Sequence, residues 1–284
     1  KFFFHGWNLS AKFGTINETP TDETSRSNWI ARFRAEEQDK AKEAIKLYDD
    51  AINLLNRIIE TESSKINAVF AIYDAYAEGD DLVINNIRVP LLRQQKENAK
   101  NEYMCLCDFV APQSLGVKDY LAPFAVTSSA GGELLKEFKN EGDEYMVFLM
   151  KILLERLAEA GTEWLHYKVR KEYWGFAADE DFDVAGMLAT KYQGIRPAVG
   201  YPSIPDQTIS FVLDDLLHLK DIDVELTENG MMIPTASVSG FIFANPQSKY
   251  FVIGPIDESQ LEDYAQRRSV EVNDIRKFLL ANLS

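Results

Sequence analysis

The sequence predicts an α+β fold, in which helices and antiparallel strands occupy separate runs of the chain. Long amphipathic stretches and short apolar stretches follow one another without the strand–helix–strand alternation of a parallel sheet. Two short apolar stretches, Ser237–Phe243 and Lys249–Ile253, are joined by Ala244–Ser248, a connection short enough for a hairpin. The chain has no Gly-x-Gly-x-x-Gly motif and no P-loop, so the sequence does not predict a Rossmann nucleotide site.

The first half of the chain begins with a predicted helix and a predicted hairpin. Apolar residues recur at close to helical spacing within Ala31–Glu60, which predicts an amphipathic helix. The apolar stretches Ile66–Tyr76 and Leu82–Ile84 flank the turn residues Glu78–Asp81, so we expect two strands that pair as a hairpin. Two further strands are predicted at Met104–Ala111, which ends at a proline, and at Tyr120–Thr127, which Pro123 interrupts.

The clearest helix is predicted over Asp143–Tyr173. Its apolar residues recur at steps of three and four and form one predicted core face, made of Met146, Leu149, Met150, Leu153, Leu157, Ala160 and Trp164. On a different face, Glu155, Glu159 and Glu163 are followed by His166. Such an acidic row indicates either a solvated surface or carboxylates reserved for a cationic ligand, and the row alone does not decide between them.

The stretch Gly194–Pro205 is predicted to be a stiff, extended loop. Pro197, Pro202 and Pro205 each fix their own φ and keep the preceding residue out of the α region. Arg196 is the only charged residue in this loop. A guanidinium on a rigid loop suits bidentate capture of a carboxylate or a phosphate. The alternative is a structural arginine that closes a helix C-terminus.

The last third of the chain combines predicted strands with capped helices. Ser203 and Asp206 have the spacing of a capping box, which would open a helix over Asp206–Leu219. Glu225–Met232 is predicted to be a strand, and Gly240 inside the next strand indicates a bulge or the close approach of another backbone segment. A helix capped by Asp257 and a last helix over Val270–Leu283 complete the prediction.

The composition argues against several classes of partner. The 284 residues carry a formal net charge of −15, which argues against a nucleic-acid surface and against an anionic membrane. No apolar run approaches the roughly 18 residues of a transmembrane helix. Cys105 and Cys107 are the only cysteines and do not suffice for a zinc site, so we expect two buried thiols in a cytoplasmic protein. The three histidines are far apart in sequence, and no metal site is predicted.

Several blocks of the sequence, taken in order, resemble one known family. The blocks are Cys107–Pro112, Phe124–Thr127, Arg156–Ala160, Tyr173–Gly175, Gly194-Ile-Arg-Pro-Ala-Val-Gly-Tyr-Pro-Ser-Ile-Pro-Asp206, Thr235–Phe243, Ser248–Phe251 and Gln260–Ala265. They stand at matching spacing over nearly the whole chain. Together they closely resemble the C-terminal activation domain of cobalamin-dependent methionine synthase.

The resemblance implies a fold, an activity and partners. The fold would be a single curved α+β domain around a bent antiparallel sheet with flanking helices. The domain would bind S-adenosylmethionine and supply its methyl group for the reductive methylation of cob(II)alamin to methylcobalamin, in methionine biosynthesis. Cobalamin would be held by a neighbouring domain of the same enzyme, since this chain lacks an Asp-x-His-x-x-Gly motif. The electron would come from a donor such as flavodoxin, and the chain alone should not turn over.

The resemblance also assigns residues to the two charged ends of the ligand. Arg196 matches the family arginine that pairs with the carboxylate, and Glu159 matches a glutamate near the cationic end. The family's ligand-binding aspartate would fall upstream of Lys1. We therefore expect residues 1–284 to be one S-adenosylmethionine-binding domain and an N-terminally truncated fragment of a larger enzyme, without catalytic residues or metal ligands of its own.

Four further positions are assigned to the same pocket. Tyr250 and Phe251 match the family's aromatic pair, in which relatives often have a second tyrosine, and an aromatic face can attract a sulfonium. Ala198 and Tyr201 lie in the loop whose backbone lines the pocket. The sequence departs from the family at Gln207, where a histidine is common. It also departs at Thr190, where some relatives have a second pocket glutamate.

A second hypothesis remains open. The chain could be a non-catalytic module that senses S-adenosylmethionine or docks a partner. Cobalamin distinguishes the two hypotheses, because only a reactivation domain should present its surface around Tyr201 and Gln207 to a corrin ring.

Overall fold

The structure is a computed structural model that describes residues 2–96, 102–129 and 131–283. These residues fall into two compact units. The first unit lies within Lys1–Lys65 and Ser128–Leu157, and the second lies within Ile66–Thr127 and Ala158–Ser284. Helices and antiparallel strands occupy separate runs of the chain, so the predicted α+β class is confirmed.

The first unit is helical. It contains α1 (Phe2–His5), α2 (Glu23–Ile30), α3 (Gln38–Thr61), α4 (Gly132–Glu141) and the first part of α5 (Glu144–Lys168). The α3 helix begins later than predicted, after a 3₁₀ turn, and its buried residues are Ala41, Ala44, Leu47, Ala51, Leu54 and Ile58. Their spacing places them on one helical stripe, which explains why this helix was predictable from apolar periodicity.

The predicted long helix is confirmed as α5, which continues into a π-helical turn over Val169–Tyr173. The predicted core face is wrong in its C-terminal half, because Ala160 and Trp164 are exposed. The buried residues there are instead Ala158, Thr162, Leu165, His166 and Val169. Small side chains face the sheet at this point because the helix lies very close to it: a Cβ on Gly161 would stand 2.6 Å from the Ile66 side chain.

The second unit is organised around a curled antiparallel sheet. Its strands are β1 (Ile66–Phe70), β2 (Tyr73–Glu78), β3 (Asp81–Ile84), β4 (Ile87–Pro90), β5 (Asp119–Ser128) and β8 (Ser237–Ile242), in the order β1-β5-β2-β3-β4 with β8 on β5. The start of β5 pairs with β2, and Ala122–Thr127 pairs with β8. The predicted hairpin is confirmed for β2 and β3, which pair antiparallel from Ala75↔Ile84 to Glu78↔Asp81. The predicted single strand Ile66–Tyr76 is wrong, because this stretch is divided into β1 and β2, which lie on either side of β5.

Two predictions about strands in the second unit are wrong. Pro123 does not interrupt β5, because proline lacks only the N–H. Its position stays in register with Phe241 of β8, and its carbonyl accepts the Ala71 N–H at 3.3 Å. Met104–Ala111 is not a strand. The Asp108 carboxylate accepts the Cys105 N–H at 2.8 Å, and this local bond favours a 3₁₀ turn over sheet pairing. Both cysteines are buried thiols, as expected.

The remaining elements of the second unit follow β5 in the chain. They are α6 (Val184–Leu188), α7 (Ile209–Leu217), the two-residue strands β6 (Glu225–Leu226) and β7 (Met232–Ile233), α8 (Glu258–Arg268) and α9 (Val272–Leu279). The predicted strand Glu225–Met232 is thus a small hairpin. Asp257 caps α8 as predicted, since its carboxylate accepts the Gln260 N–H at 2.9 Å.

Two other predictions fail because their partners are already engaged. Ser203 does not form a capping box, because its hydroxyl donates to the Phe251 carbonyl, and α7 begins only at Ile209. Lys249–Ile253 is not a strand beside β8, because the loop Gly194–Pro205, which we call the Arg196 loop, occupies that edge of β8. Among the helices that the structure describes, none is long and apolar enough to cross a membrane.

Candidate functional site

The loop Gly194–Pro205 lies along the free edge of β8. Ile195 forms a bridge with Phe243, and Ala198 forms a bridge with Gly240. The Ile195 N–H donates to the Phe243 carbonyl at 3.1 Å, and the Phe243 N–H donates back at 2.9 Å. The loop is therefore held by main-chain bonds to the sheet, which makes it a rigid support for Arg196.

Gly240 is the point of closest approach between the loop and β8. A Cβ at this position would lie 2.1 Å from the Pro197 carbonyl oxygen and 2.9 Å from the Ala198 Cα. No side chain fits at these distances, so only glycine lets the two backbones meet. The close approach predicted at Gly240 is confirmed, and its partner is the proline-rich loop.

Arg196 is fixed at both its backbone and its side chain. Its backbone N–H donates to the Tyr250 hydroxyl at 3.0 Å. Its guanidinium Nη2 donates to Oε1 of Glu163, and this ion pair is largely enclosed, with side-chain exposures of 13% and 26%. The helix before the loop ends at Leu188, eight residues earlier, so Arg196 does not close a helix C-terminus.

The electrostatics of the Arg196 site are those of a partly desolvated ion pair. Burial, the largest single cause, lowers the pKa of Arg196, but the Glu163 charge and hydrogen bond together with Tyr250 and Tyr192 raise it by more, so the net shift of this pKa is upward. Burial raises the pKa of the Tyr192 hydroxyl, and the adjacent Tyr250 raises it further. Among the described residues, Nε of Arg196 and Oε2 of Glu163 have no hydrogen-bond partner although both atoms are buried. The site therefore has unused donor and acceptor capacity for a polar ligand.

A second contact joins the same helix to the same loop. The Tyr201 hydroxyl donates to Oε1 of Glu159 at 3.3 Å. Glu159 and Glu163 are one turn apart on α5, so both carboxylates project from one helix face towards the loop. Of the predicted acidic row, Glu155 is exposed, whereas Glu159 and Glu163 are half-buried.

His166 does not continue this row, because it is buried and only 1% exposed. Its ring packs edge-on against the Tyr192 ring, with centroids 4.9 Å apart. The Arg170 guanidinium also contacts the Tyr192 ring, at 4.2 Å from its centroid. Burial, followed by the charges of Arg170 and Arg196, lowers the pKa of His166 well below its usual value. The imidazole is neutral at physiological pH and packs as an aromatic ring behind the site.

The six residues predicted for the pocket do not all present side chains to one point. Arg196 contacts Tyr250, and Tyr201 contacts Glu159. Ala198 and Phe251 differ from these four, since Ala198 is buried at its bridge to β8 and the Phe251 ring packs on Phe109 with centroids 6.4 Å apart.

Sequence reasoning did not assign two residues that touch Arg196 or its neighbours. Glu163 was part of the predicted acidic row. Its position one helical turn after Glu159, and therefore on the same helix face, was the feature that could have identified it as a site residue. Tyr192, which is buried beside Tyr250, precedes the loop and carries no comparable pattern. The Gln207 side chain amide donates to the Gly230 carbonyl at 3.0 Å, and its Oε1 lies beside the loop, 2.7 Å from where a Cβ on Gly200 would stand.

The helical unit contains a cavity of about 410 Å³. Most of the residues that line this cavity are polar, among them His5, Lys12, Glu37 and Lys40. Lys12 and Glu37 pair with each other across it. None of the predicted pocket residues lines this cavity, and the described residues contain no cluster of side chains that could hold a metal ion.

Comparisons with known proteins agree with the resemblance. Residues 1–269 match the model of the family described as "Vitamin B12 dependent methionine synthase, activation domain". The chain is also similar to a crystal structure of the MetH reactivation domain bound to AdoHcy. The TM-score is 0.85 at 35% sequence identity, over 99% of this chain and 84% of the other. The chain belongs to the family of vitamin B12-dependent methionine synthase activation domains.

Proposed function

We propose that this chain binds S-adenosylmethionine at the Arg196 loop and supplies its methyl group to reactivate the cobalamin of methionine synthase, a methyltransferase. The observation that carries the proposal is the largely enclosed Arg196 guanidinium, held beside the half-buried carboxylates of Glu159 and Glu163. S-adenosylmethionine carries one carboxylate, one ammonium and one sulfonium, so this set of charges is complementary to it. The similar MetH reactivation domain is bound to AdoHcy, which differs from S-adenosylmethionine by the transferable methyl group.

Each predicted pocket residue has a role that its geometry supports. Arg196 has donors left over after its bond to Glu163, and these can pair with the ligand carboxylate. Glu159 faces the loop and balances the cationic end of the ligand. Tyr250 and Tyr201 are both about half exposed and present aromatic faces that attract a sulfonium.

The other two predicted residues act through the backbone and the core. Ala198 lines the pocket with main-chain atoms that its bridge to Gly240 holds in place. Phe251 supports the segment that carries Tyr250, because its ring packs into the core below. We take residues 1–284 together as one S-adenosylmethionine-binding domain.

The chemistry is completed by groups outside this chain. Cobalamin, held by a neighbouring domain of the same enzyme, accepts the methyl group after one-electron reduction by a donor such as flavodoxin. This chain contributes position, because methyl transfer requires the sulfonium carbon to be close to cobalt and in line with it. The chain alone does not turn over, and we place the enzyme in the cytoplasm.

Calorimetric titration of S-adenosylmethionine into the chain tests the binding proposal. We expect saturable one-to-one binding that weakens by about 10- to 100-fold in Arg196→Ala, since a charge-assisted pair contributes about 1.5–3 kcal/mol. Arg276→Ala, which removes an arginine from a surface pair with Glu258, is the matched control and should bind as the wild type does. An Arg196→Ala variant that binds with unchanged affinity would exclude this loop as the site.

A methylation assay distinguishes reactivation from ligand sensing. The chain is combined with the cobalamin domain carrying cob(II)alamin, a reductant and S-adenosylmethionine, and methylation is followed by the absorption spectrum. A reactivation domain produces methylated cobalamin only when all components are present. A sensing module binds S-adenosylmethionine, and no absorption of methylated cobalamin appears.

A further inference from the structure

We infer that Glu163 is a positioning residue, which orients the Arg196 guanidinium for the carboxylate of the ligand. This inference rests on the proposed function, because it concerns how the same site binds the amino-acid end of S-adenosylmethionine. Glu163 is separate from the pocket residues that the family resemblance assigns. Its role follows from its contact with Arg196, its burial and its place on α5.

Glu163 is the only side chain in the described part of the protein that hydrogen-bonds the Arg196 guanidinium. The bond uses Nη2 and Oε1, while Nε of Arg196 and Oε2 of Glu163 stay buried without partners. The guanidinium is therefore held at one of its nitrogens. Without this bond the side chain would keep its position on the loop but lose the contact that sets the direction of its donors.

The ion pair also leaves Arg196 with N–H groups that can donate to a second carboxylate. A guanidinium has five N–H donors, and only a part of them is used by Glu163. Burial lowers the pKa of Arg196, and Glu163 is the largest of the neighbours that raise it again, ahead of Tyr250 and Tyr192. Glu163 thus stabilises the charged guanidinium in the enclosed site before the ligand arrives, so that less reorganisation is needed on binding.

The support behind Glu163 is rigid. The residue lies inside α5, next to Thr162, whose hydroxyl donates to the Ala158 carbonyl at 2.8 Å and which is 1% exposed. Arg196 is fixed from the other side by the bond of its backbone N–H to Tyr250. A binding group supported by a helix and by a sheet-bound loop is held more accurately than one on a free loop.

A cycle of two proteins and two ligands tests the inference. The proteins are the wild type and Glu163→Gln, and the ligands are S-adenosylmethionine and its decarboxylated analogue, which keeps the ammonium and the sulfonium. We expect Glu163→Gln to weaken S-adenosylmethionine binding by about tenfold and to weaken the analogue by less than about twofold. The difference appears because Glu163 acts through Arg196, whose partner is the carboxylate that the analogue lacks.

The matched controls separate positioning from folding and from surface charge. Glu172→Gln removes a carboxylate from an exposed pair with Lys168 and should leave both affinities unchanged. Glu163→Asp keeps the charge on a shorter side chain and should recover part of the lost affinity, and it keeps the test informative where Glu163→Gln folds poorly. Thermal unfolding of each variant reports the folding contribution.

Each outcome has a separate meaning. An equal loss for both ligands means that Glu163 acts on the ammonium or the sulfonium directly, and this overturns the inference while leaving the proposed function in place. Unchanged binding of both ligands also overturns it. Absence of saturable S-adenosylmethionine binding by the wild type overturns the proposed function itself, and the inference with it.

Discussion

The hydroxyl of Tyr250 accepts a hydrogen bond from the backbone N–H of Arg196 over 3.0 Å. This bond joins the segment after β8 to the proline-rich loop at the residue that carries the charge. The side chain of Tyr250 is thereby a structural partner of Arg196, in addition to its proposed contact with the ligand. The bond gives the N–H of Arg196 a protein partner at a position where the loop does not pair with β8.

Tyr250→Phe should weaken ligand binding while reducing stability only slightly. The substitution keeps the aromatic face and removes the acceptor of the Arg196 N–H, which is worth about 0.5–1.5 kcal/mol in a typical neutral hydrogen bond. Calorimetry with S-adenosylmethionine and urea unfolding measure the two effects. Tyr103→Phe, at an exposed tyrosine, is the control. If Tyr250→Phe binds as tightly as the wild type, the hydroxyl does not hold the loop in its binding position.

Gly240→Ala should destabilise the protein and displace the loop. A methyl group at this position would stand 2.1 Å from the Pro197 carbonyl, so the loop has to move away from β8. We expect a loss of about 1–3 kcal/mol in the free energy of unfolding, together with weaker ligand binding. Gly254→Ala is the control, since Gly254 has φ +75° and no atom near the added methyl. If Gly240→Ala lowers the free energy of unfolding no more than Gly254→Ala does, the loop can move away from β8 without loss of stability.

The fold was predictable where one face of an element meets the core, and not where a segment is held by partners distant in sequence. The apolar spacing of α3 and the β2–β3 turn both follow from local rules, and the structure contains them. The segment Lys249–Ile253 has the composition of a strand, but the loop around Ala198 already occupies the edge of β8. Competition for one strand edge is a tertiary effect that no local pattern in either segment reports.

The candidate site was predictable to a similar extent. Arg196 stood out because it is the single charge in a stiff loop, and its backbone geometry follows from the prolines around it. Its contact with Glu163 depends on how α5 meets the loop, which helical periodicity alone does not determine. The burial of His166 was also not predictable from helical periodicity, because it depends on the packing of this side chain against Tyr192.

The stability of the protein should fall at mildly acidic pH because of His166. Burial, then Arg170, then Arg196 keep the pKa of this imidazole well below its usual value in the folded state. Below about pH 6.5 the unfolded chain therefore binds more protons than the folded chain, and stability is lost as the pH falls. The stabilising contribution is fully present above that pH.

His166→Phe should remove this part of the pH dependence. The phenyl ring keeps the contact with Tyr192 and cannot be protonated. Between pH 7.5 and 5.5, urea unfolding should show that the wild type loses about 1.4 kcal/mol more than the variant. His218→Asn, at an exposed histidine, is the control for the loss of a histidine. Equal losses in the wild type and in His166→Phe would show that His166 becomes protonated without unfolding.

Tyr264→Phe should loosen the end of the proline-rich loop. The Tyr264 hydroxyl donates to Oδ2 of Asp206 at 2.7 Å, and both residues are 1% exposed. Asp206 follows the last proline of the loop, so this bond ties the loop to α8. Arg268 remains near the carboxylate, with its Nε 3.4 Å from Oδ2.

Removal of the hydroxyl leaves a buried carboxylate oxygen with one donor fewer, which should cost about 1–3 kcal/mol in the free energy of unfolding. Urea unfolding of Tyr264→Phe measures this cost, with Tyr103→Phe as the control for a solvent-facing hydroxyl. S-adenosylmethionine affinity should change less than in Tyr250→Phe, because Tyr264 bonds the loop at Asp206 and Tyr250 bonds it at Arg196. A large loss of affinity with unchanged stability would instead mean that the loop moves as one piece, and that its anchor at Asp206 sets the position of Arg196.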